Sequence, residues 1–171
     1  MKVLFLLISL GFGLTSFTQP AIKTFAFEQD NVPGTKPAGV TDENGNLVRK
    51  VAARKNYFIF LSFNKAYNIT PTQVFIRGNL LTVTSTLNRK TPIELVNNNI
   101  PNKPQTITLV PATSNKVLEI QVNEAPGENA KSTTVQKLTN KNEVVVVYSW
   151  KKKTYFLTLK KLKKLDPVFN E

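Results

Sequence analysis

Residues 144–159 read VVVVYSWKKKTYFLTL, and this stretch decides the fold class. Two runs of mainly β-branched, aromatic and aliphatic residues, 144–150 and 154–159, flank three consecutive lysines. Each run has the length of a strand, and a short polar break between two such runs is typical of a β-hairpin. The C-terminal region is therefore predicted to contain a hairpin that turns at Lys151, Lys152 and Lys153.

The preceding sequence repeats this pattern of short strands. Prolines, asparagines and glycines separate β-type runs at residues 57–63, 73–77, 80–87, 93–96, 106–110 and 116–122. Run 57–63 is apolar on both faces, which predicts a central strand that is covered on both sides. In run 80–87, Leu81, Val83 and Leu87 are predicted to face the core. The chain is thus predicted to be all-β, a single antiparallel, immunoglobulin-like β-sandwich of about seven to nine short strands with little helix.

Three connections are predicted in more detail. Gly78 and Asn79 are expected to form a type II′ hairpin turn. Residues 124–141 carry few large apolar side chains and are predicted to be a long loop with a weak strand at 134–138. Leucines recur every three residues in 159–165, which fits either a short cationic helix or a strand end that runs into a packed tail. The short length favours the strand.

The N-terminus has the pattern of a secretion signal. Lys2 precedes a short apolar run, and Ser16 and Thr18 supply the small residues of a cleavage site, so residues 1–18 are predicted to be removed. Without a cysteine to carry a lipid, the protein is not expected to be a lipoprotein, and it is predicted to be exported to the periplasm, the cell surface or the medium. Residues 19–46 are predicted to be an extended polar lead-in, partly in a first hairpin, and 47–171 to be the sandwich domain.

The composition excludes several kinds of chemistry. The chain has no cysteine and no histidine, so thiolate and imidazole are missing both as metal ligands and as catalytic bases. No metal site and no cofactor are expected, and the chain is predicted not to be an enzyme. The remaining catalytic alternative is a glycan hydrolase built on two close carboxylates from the set Glu94, Glu119, Glu124, Glu128 and Glu143.

The charge points to an anionic partner. The chain carries 23 Lys and Arg against 11 Asp and Glu, a net charge of +12. A binding patch on the C-terminal hairpin is predicted from Trp150, Lys151, Lys152, Lys153, Tyr155, Lys160, Lys161, Lys163 and Lys164. The same lysines could also arise without a partner, because a biased base composition enriches Lys and Asn, and because lysines that flank an aggregation-prone strand act as gatekeepers.

Together these features predict an exported, non-enzymatic binding or accessory module. Its partner would be an anionic glycan or lipid of the cell envelope, or a surface protein complex. Nucleic acid is a disfavoured partner, and no transmembrane segment is expected. The alternative is a structural subunit that donates its extended segment, residues 19–46, to the sheet edge of another chain.

Overall fold

The computed structural model describes residues 19–33, 54–97, 105–129 and 132–170. The predicted signal peptide and the predicted first hairpin lie outside these ranges. The described residues form ten strands and one helix: β1 (Ile22–Pro33), β2 (Arg54–Phe63), β3 (Thr70–Ile76), β4 (Asn79–Asn88), β5 (Ile93–Asn97), β6 (Gln105–Val110), β7 (Lys116–Asn129), α1 (Thr133–Thr139), β8 (Val144–Trp150), β9 (Lys153–Leu159) and β10 (Lys163–Asn170). Within these ranges, no helix has the length and the apolar character needed to cross a membrane.

Eight strands form one mixed sheet in the order β10-β1-β2-β7-β4-β3-β8-β9, while β5 and β6 form a separate two-stranded sheet. Side chains from β1, β2, β3, β4, β7 and β8 meet in one interior cluster against which β9 also packs, so the large sheet curls around a single core. The all-β prediction is confirmed. The immunoglobulin-like arrangement is not confirmed, because eight of the ten described strands form one curled sheet in which β1 and β10 pair in parallel.

Strands β2 and β8 are apolar on both faces because both of their faces are covered. In β8, Val146 and Tyr148 face the main core, whereas Val145 and Val147 face α1. The outer face of β2 is covered in turn by the β5–β6 sheet, where Phe60 packs with side chains of β6. The prediction of a central strand at 57–63, covered on both sides, is therefore confirmed.

The region predicted as a long loop is ordered differently. Strand β7 continues to Asn129, and the helix α1 occupies the place of the predicted weak strand. Val135 is 6% exposed and packs with Phe75, Val145 and Val147 on the outer face of β3 and β8. The loop prediction is wrong because the burial of one helix face against the sheet outweighs the weak local preference of a Thr-rich segment.

The β3–β4 turn also differs from the prediction. Its central residues are Arg77 and Gly78, with φ angles of 50° and 85°, rather than Gly78 and Asn79. This register pairs Phe75 with Leu80 in the cluster under α1. Leu87, at the far end of β4, was expected in the core and is instead 47% exposed.

The two ends of the described chain meet in the sheet. Strand β1 lies within the segment predicted to be a lead-in, and it is an inner strand between β2 and β10. The leucine-rich tail was predicted to be a strand end that runs into a packed tail, and β9 does end at Leu159, with Leu162 buried after it. The further strand β10 was not predicted. Its parallel pairing with β1 is reinforced by the Gln29 side chain, whose Nε2 donates a hydrogen bond to the Asp166 carbonyl oxygen at 2.9 Å.

Candidate functional site

The predicted C-terminal hairpin is formed by β8 and β9. Trp150 pairs with Lys153, which leaves Lys151 and Lys152 as the two central residues of the turn. Their φ angles are 48° and 61°, so both adopt the left-handed conformation that matches the twist of a two-residue hairpin turn. All three lysines are exposed, so the turn projects a compact group of cations.

An aromatic cluster supports this turn from below. Trp150 is 6% exposed, and its ring lies edge-on to Tyr67 at 5.7 Å and tilted to Tyr155 at 5.8 Å. Tyr155 stacks in turn on Tyr148 at 5.5 Å. The Lys151 Nζ sits 4.8 Å from the centre of the Trp150 ring. Trp150 was predicted as a binding anchor, but its burial leaves it little surface to offer a ligand, and it acts instead as a rigid base for the turn.

The same cluster holds a buried phenol. The Gln19 Nε2 donates a hydrogen bond to the Tyr148 Oη at 2.8 Å. Burial raises the pKa of Tyr148, because the charged phenolate would lose its hydration inside the sheet. The phenol is therefore neutral at physiological pH and ties the start of the described chain to β8.

The remaining lysines of the predicted patch lie elsewhere. Lys160 and Lys161 are exposed in the link after β9, at the opposite end of that strand and roughly 20 Å from the turn at the usual rise of a strand. On β10, the Lys163 Nζ lies 5.8 Å from the Phe27 ring, and Lys164 is close enough to Glu28 to help lower the pKa of that carboxyl. The predicted patch is thus divided into two groups.

The structure adds further cations to the first group. Strands β2, β4 and β8 finish where β3, β7 and β9 begin, because Phe63 pairs with Lys116 and Asn88 with Val117. The connections 64–69, 89–92, 111–115 and 151–152 and the first residues of β7 and β9 contain no acid. We call this surface the basic end, and its cations are Lys65, Arg89, Lys90, Lys116, Lys151, Lys152 and Lys153.

Two contacts join the parts of the basic end. The Lys116 Nζ lies 3.4 Å from the Tyr67 carbonyl oxygen, and the Tyr67 ring contacts Trp150 under the hairpin turn. The β2–β3 connection therefore links the start of β7 to the turn. Sequence reasoning missed this surface because its cations come from connections that are dozens of residues apart and meet only through strand pairing.

A cluster of opposite charges lies at the other end of the sheet. The Glu28 side chain is 4% exposed, and the Arg77 Nη2 lies 2.8 Å from its Oε2. The hydrogen bond from Arg77 is directed at the Oε1 at 2.9 Å, so the Oε2 is held by charge from Arg77 and from the Lys55 Nζ at 3.7 Å. Lys55 also donates a hydrogen bond to Asp30 at 2.8 Å, and the Glu143 Oε1 lies 3.7 Å from the Arg77 Nε.

This acid–base cluster, consisting of Glu28, Asp30, Lys55, Arg77 and Glu143, fastens the sheet. The Glu143 Oε2 accepts a hydrogen bond from the Leu162 backbone N–H at 2.7 Å. Since Glu28 lies on β1, Arg77 in the β3–β4 turn and Leu162 before β10, the cluster connects elements that are far apart in the sheet. Sequence analysis did not identify Glu28, because nothing in its neighbourhood distinguishes a buried acid from an exposed one.

Two acids of the cluster, Glu28 and Asp30, are stabilised in their charged form. The hydrogen bond from Arg77 lowers the pKa of Glu28 against the opposing effect of burial, and the hydrogen bond from Lys55 lowers the pKa of Asp30. A general acid needs a raised pKa, which is the opposite shift. In the described part of the chain, no group of three or more acidic side chains is arranged to hold a metal ion.

Two open clefts lie beside these charged surfaces. One of about 370 Å³ opens where β2 and β7 separate beyond the pair of Ile59 and Ile120. The other, of about 320 Å³, lies on the basic end between the end of β4 and the start of β7.

Comparison of the chain with protein-family models, curated proteins and solved structures finds no match. The function must therefore be inferred from the residues themselves.

Proposed function

We propose that the protein is an exported, non-enzymatic binding module whose basic end contacts an anionic component of the cell envelope. The observation that carries this proposal is the convergence of cations from separate connections on one end of the sheet, with no acid in the same connections. Like charges repel, so such a cluster lowers the stability of the free protein slightly and strengthens its attraction to a polyanion.

The hairpin turn supports a role in binding. Both central residues, Lys151 and Lys152, hold φ angles that cost free energy in most residues other than glycine, asparagine and aspartate. The Trp150 ring next to the turn packs against Tyr67. Lysines that only protect a strand from aggregation do not require an ordered aromatic cluster beneath them. The backbone of the turn is thus ordered before binding, and only the lysine side chains lose conformational freedom when a ligand binds.

The second lysine group defines the kind of ligand that would use the whole hairpin. Lys160 and Lys161 lie roughly 20 Å from the turn along β9. A small anion cannot reach both groups, whereas a glycan chain or a charged membrane surface can. Near an anionic membrane each lysine contributes on the order of 1 kcal/mol, and the contribution falls as salt is added.

The test compares two double variants with the same change in charge. Lys151→Gln/Lys152→Gln removes two cations from the basic end, and the matched control Lys137→Gln/Lys141→Gln removes two exposed cations around α1. We expect the first variant to weaken binding to phosphatidylglycerol vesicles or purified lipopolysaccharide by about tenfold or more, and the control by much less. Equal losses, or binding that does not respond to salt, would contradict a role for the basic end.

A protein partner is the second candidate, and the exposed edge of β9 favours it. Among the described strands, β9 pairs only with β8, and residues 154–159 are uncharged. An extended segment of a surface protein complex could add to this edge, and acidic residues at both ends of that segment would meet Lys153 and Lys160. Thr158→Lys on the edge should then abolish co-purification of the partner while retaining lipopolysaccharide binding.

Donation of the N-terminal segment is the remaining structural alternative. Strand β1 already pairs with β2 along most of its length and with β10 along its second half. Donation of residues 22–33 to another chain would break both pairings. A deletion of residues 19–33 should therefore unfold the protein if β1 belongs to its own sheet, and it should block only assembly if the segment is a donor strand. Circular dichroism of the deletion variant distinguishes the two.

A further inference from the structure

The cleft on the basic end combines three chemical features in a volume of about 320 Å³. Lys65 and Arg89 supply cations from two different connections, and Lys116 supplies one from the start of β7. Most of the remaining lining consists of hydroxyl and amide side chains, and Leu87 supplies an apolar side chain that is 47% exposed. Cations alone would bind any anion, whereas a ligand that uses all three features must also carry polar groups and an apolar surface.

The wall of the cleft is fixed before any ligand arrives. The Thr91 Oγ1 donates a hydrogen bond to the Thr113 carbonyl oxygen at 3.1 Å and accepts one from the Thr113 N–H at 3.0 Å. The Asn115 N–H donates to the Thr113 Oγ1 at 3.2 Å. These bonds join the connections that precede β5 and β7, so a ligand would meet a preformed surface.

The electrostatic balance of the cleft favours an anion. Among the described residues, no acid lines it, and Glu119 is bonded to its lining, since the Glu119 Oε2 accepts a hydrogen bond from the Asn88 Nδ2 at 3.0 Å. Lys65 and Arg89 are exposed, and neither forms an ion pair with a residue in the described ranges. Lys116 is directed towards the Tyr67 carbonyl oxygen at 3.4 Å.

From these features we infer that the cleft binds a negatively charged saccharide unit, a sugar that carries a phosphate or a carboxylate group. Lys65 and Arg89 would hold the anionic group, since hydrogen bonds between charged partners are the strong ones. The hydroxyl and amide side chains would hydrogen-bond to the sugar hydroxyls, and Leu87 would pack against the apolar face of the ring. The volume lies at the lower end of the range for small-molecule sites, which suits one or two sugar rings.

This inference rests on the proposed function and names the ligand class for the same surface. A longer glycan that leaves the cleft would pass Tyr67 and Trp150 and reach Lys151, because contacts join these residues in series. The cleft would then bind one charged saccharide unit specifically, while the lysines of the turn would attract further negative charges along the glycan. Two different sets of residues therefore control two different binding measurements.

The experiment titrates glucose 6-phosphate, glucuronate, glucose and inorganic phosphate into the full chain and follows backbone amide shifts by NMR. We expect shifts in residues 87–91 and 113–116 with the two charged sugars. Lys65→Gln/Arg89→Gln should weaken that binding about tenfold or more. The matched control Lys137→Gln/Lys141→Gln, which removes two exposed cations around α1 and outside the basic end, should weaken it less than about twofold.

Each other outcome has a defined meaning. Equal binding of inorganic phosphate and glucose 6-phosphate, or unchanged binding by Lys65→Gln/Arg89→Gln, would overturn the saccharide site. If vesicles bind and neither charged sugar does, the inference fails and the proposed function stands. If the sugars bind and neither vesicles nor lipopolysaccharide do, the envelope function fails. Equal binding of lipopolysaccharide and its delipidated polysaccharide would assign recognition to the glycan, and loss of binding on delipidation would overturn that assignment.

Discussion

Replacement of Arg77 by Met should destabilise the protein, because it removes the charge partner of the buried carboxylate of Glu28 on β1. The substitution removes the guanidinium that lies 2.8 Å from the Oε2 of Glu28, a side chain that is 4% exposed in the native protein. Removal of one partner from a fully buried ion pair costs about 3–5 kcal/mol. Here Arg77 is 38% exposed and Lys55 still lies 3.7 Å from the Glu28 carboxylate, so we expect a smaller loss of about 2 kcal/mol.

Urea denaturation measures this loss. With a slope of about 2 kcal/mol per molar urea, the midpoint should fall by about 1 M. The matched control is Lys152→Met, which also replaces an exposed cation at a left-handed turn position but forms no ion pair with an acid in the described ranges. Its free energy of unfolding should change by less than about 0.5 kcal/mol.

The pH dependence identifies the cause. The hydrogen bond from Arg77 holds the pKa of Glu28 below its ordinary value of 4.5, so this stabilisation is fully present above pH 4.5 and is lost as the pH falls through the folded-state pKa. The difference between wild type and Arg77→Met should therefore shrink in acid. A deficit that stays constant below pH 4.5, or an equal deficit in Lys152→Met, would refute the role of the Glu28 carboxylate.

Three further predictions concern the core, the turn and the buried phenol. Val146→Ala, at a fully buried position, should lower the free energy of unfolding measured by urea denaturation by about 2–3 kcal/mol. Val96→Ala, at a position that is 55% exposed, should lower it by less than about 0.5 kcal/mol. Similar losses in the two variants would contradict the assigned core. Lys151→Asn/Lys152→Gly should raise the free energy of unfolding by about 1 kcal/mol and thus the Tm, because both positions have positive φ; an unchanged Tm would mean that the turn stores no strain. Burial raises the pKa of Tyr148, so the stabilisation from its neutral phenol should be fully present below pH 10, and the free energy of unfolding should fall as the pH rises through the folded-state pKa. Tyr148→Phe should remove this alkaline loss. Ultraviolet titration should show one of the four tyrosines ionising at higher pH than the others.

The strands could be predicted where the pattern along the chain is strong. Tyr148 and its valine neighbours, the run around Phe60 and the alternation around Ile120 all form strands, because β structure with apolar neighbours is specified within a few residues. Predictions failed where distant contacts decide the outcome. Val135 anchors a helix only because β3 and β8 present an apolar outer face, and Arg77 sits in the turn where it reaches Glu28.

The candidate site was predictable in part for the same reason. The hairpin turn at Lys151 and Lys152 follows from local sequence, and the structure places it as expected. The burial of Trp150 depends on Tyr67, which belongs to a connection more than 80 residues earlier. The cleft with Arg89 exists only because the connections before β5 and β7 are bonded together.

The sequence by itself determined the secondary structure class, the hairpin and the excess of positive charge, since these depend on composition and on neighbours along the chain. The tertiary structure alone decided the parallel pairing of β1 with β10, the burial of Glu28 and the convergence of Lys65, Arg89 and Lys116 on one cleft. The physical reason is that strand order and register are set by how one curled sheet buries its apolar face, and that choice involves the whole chain at once.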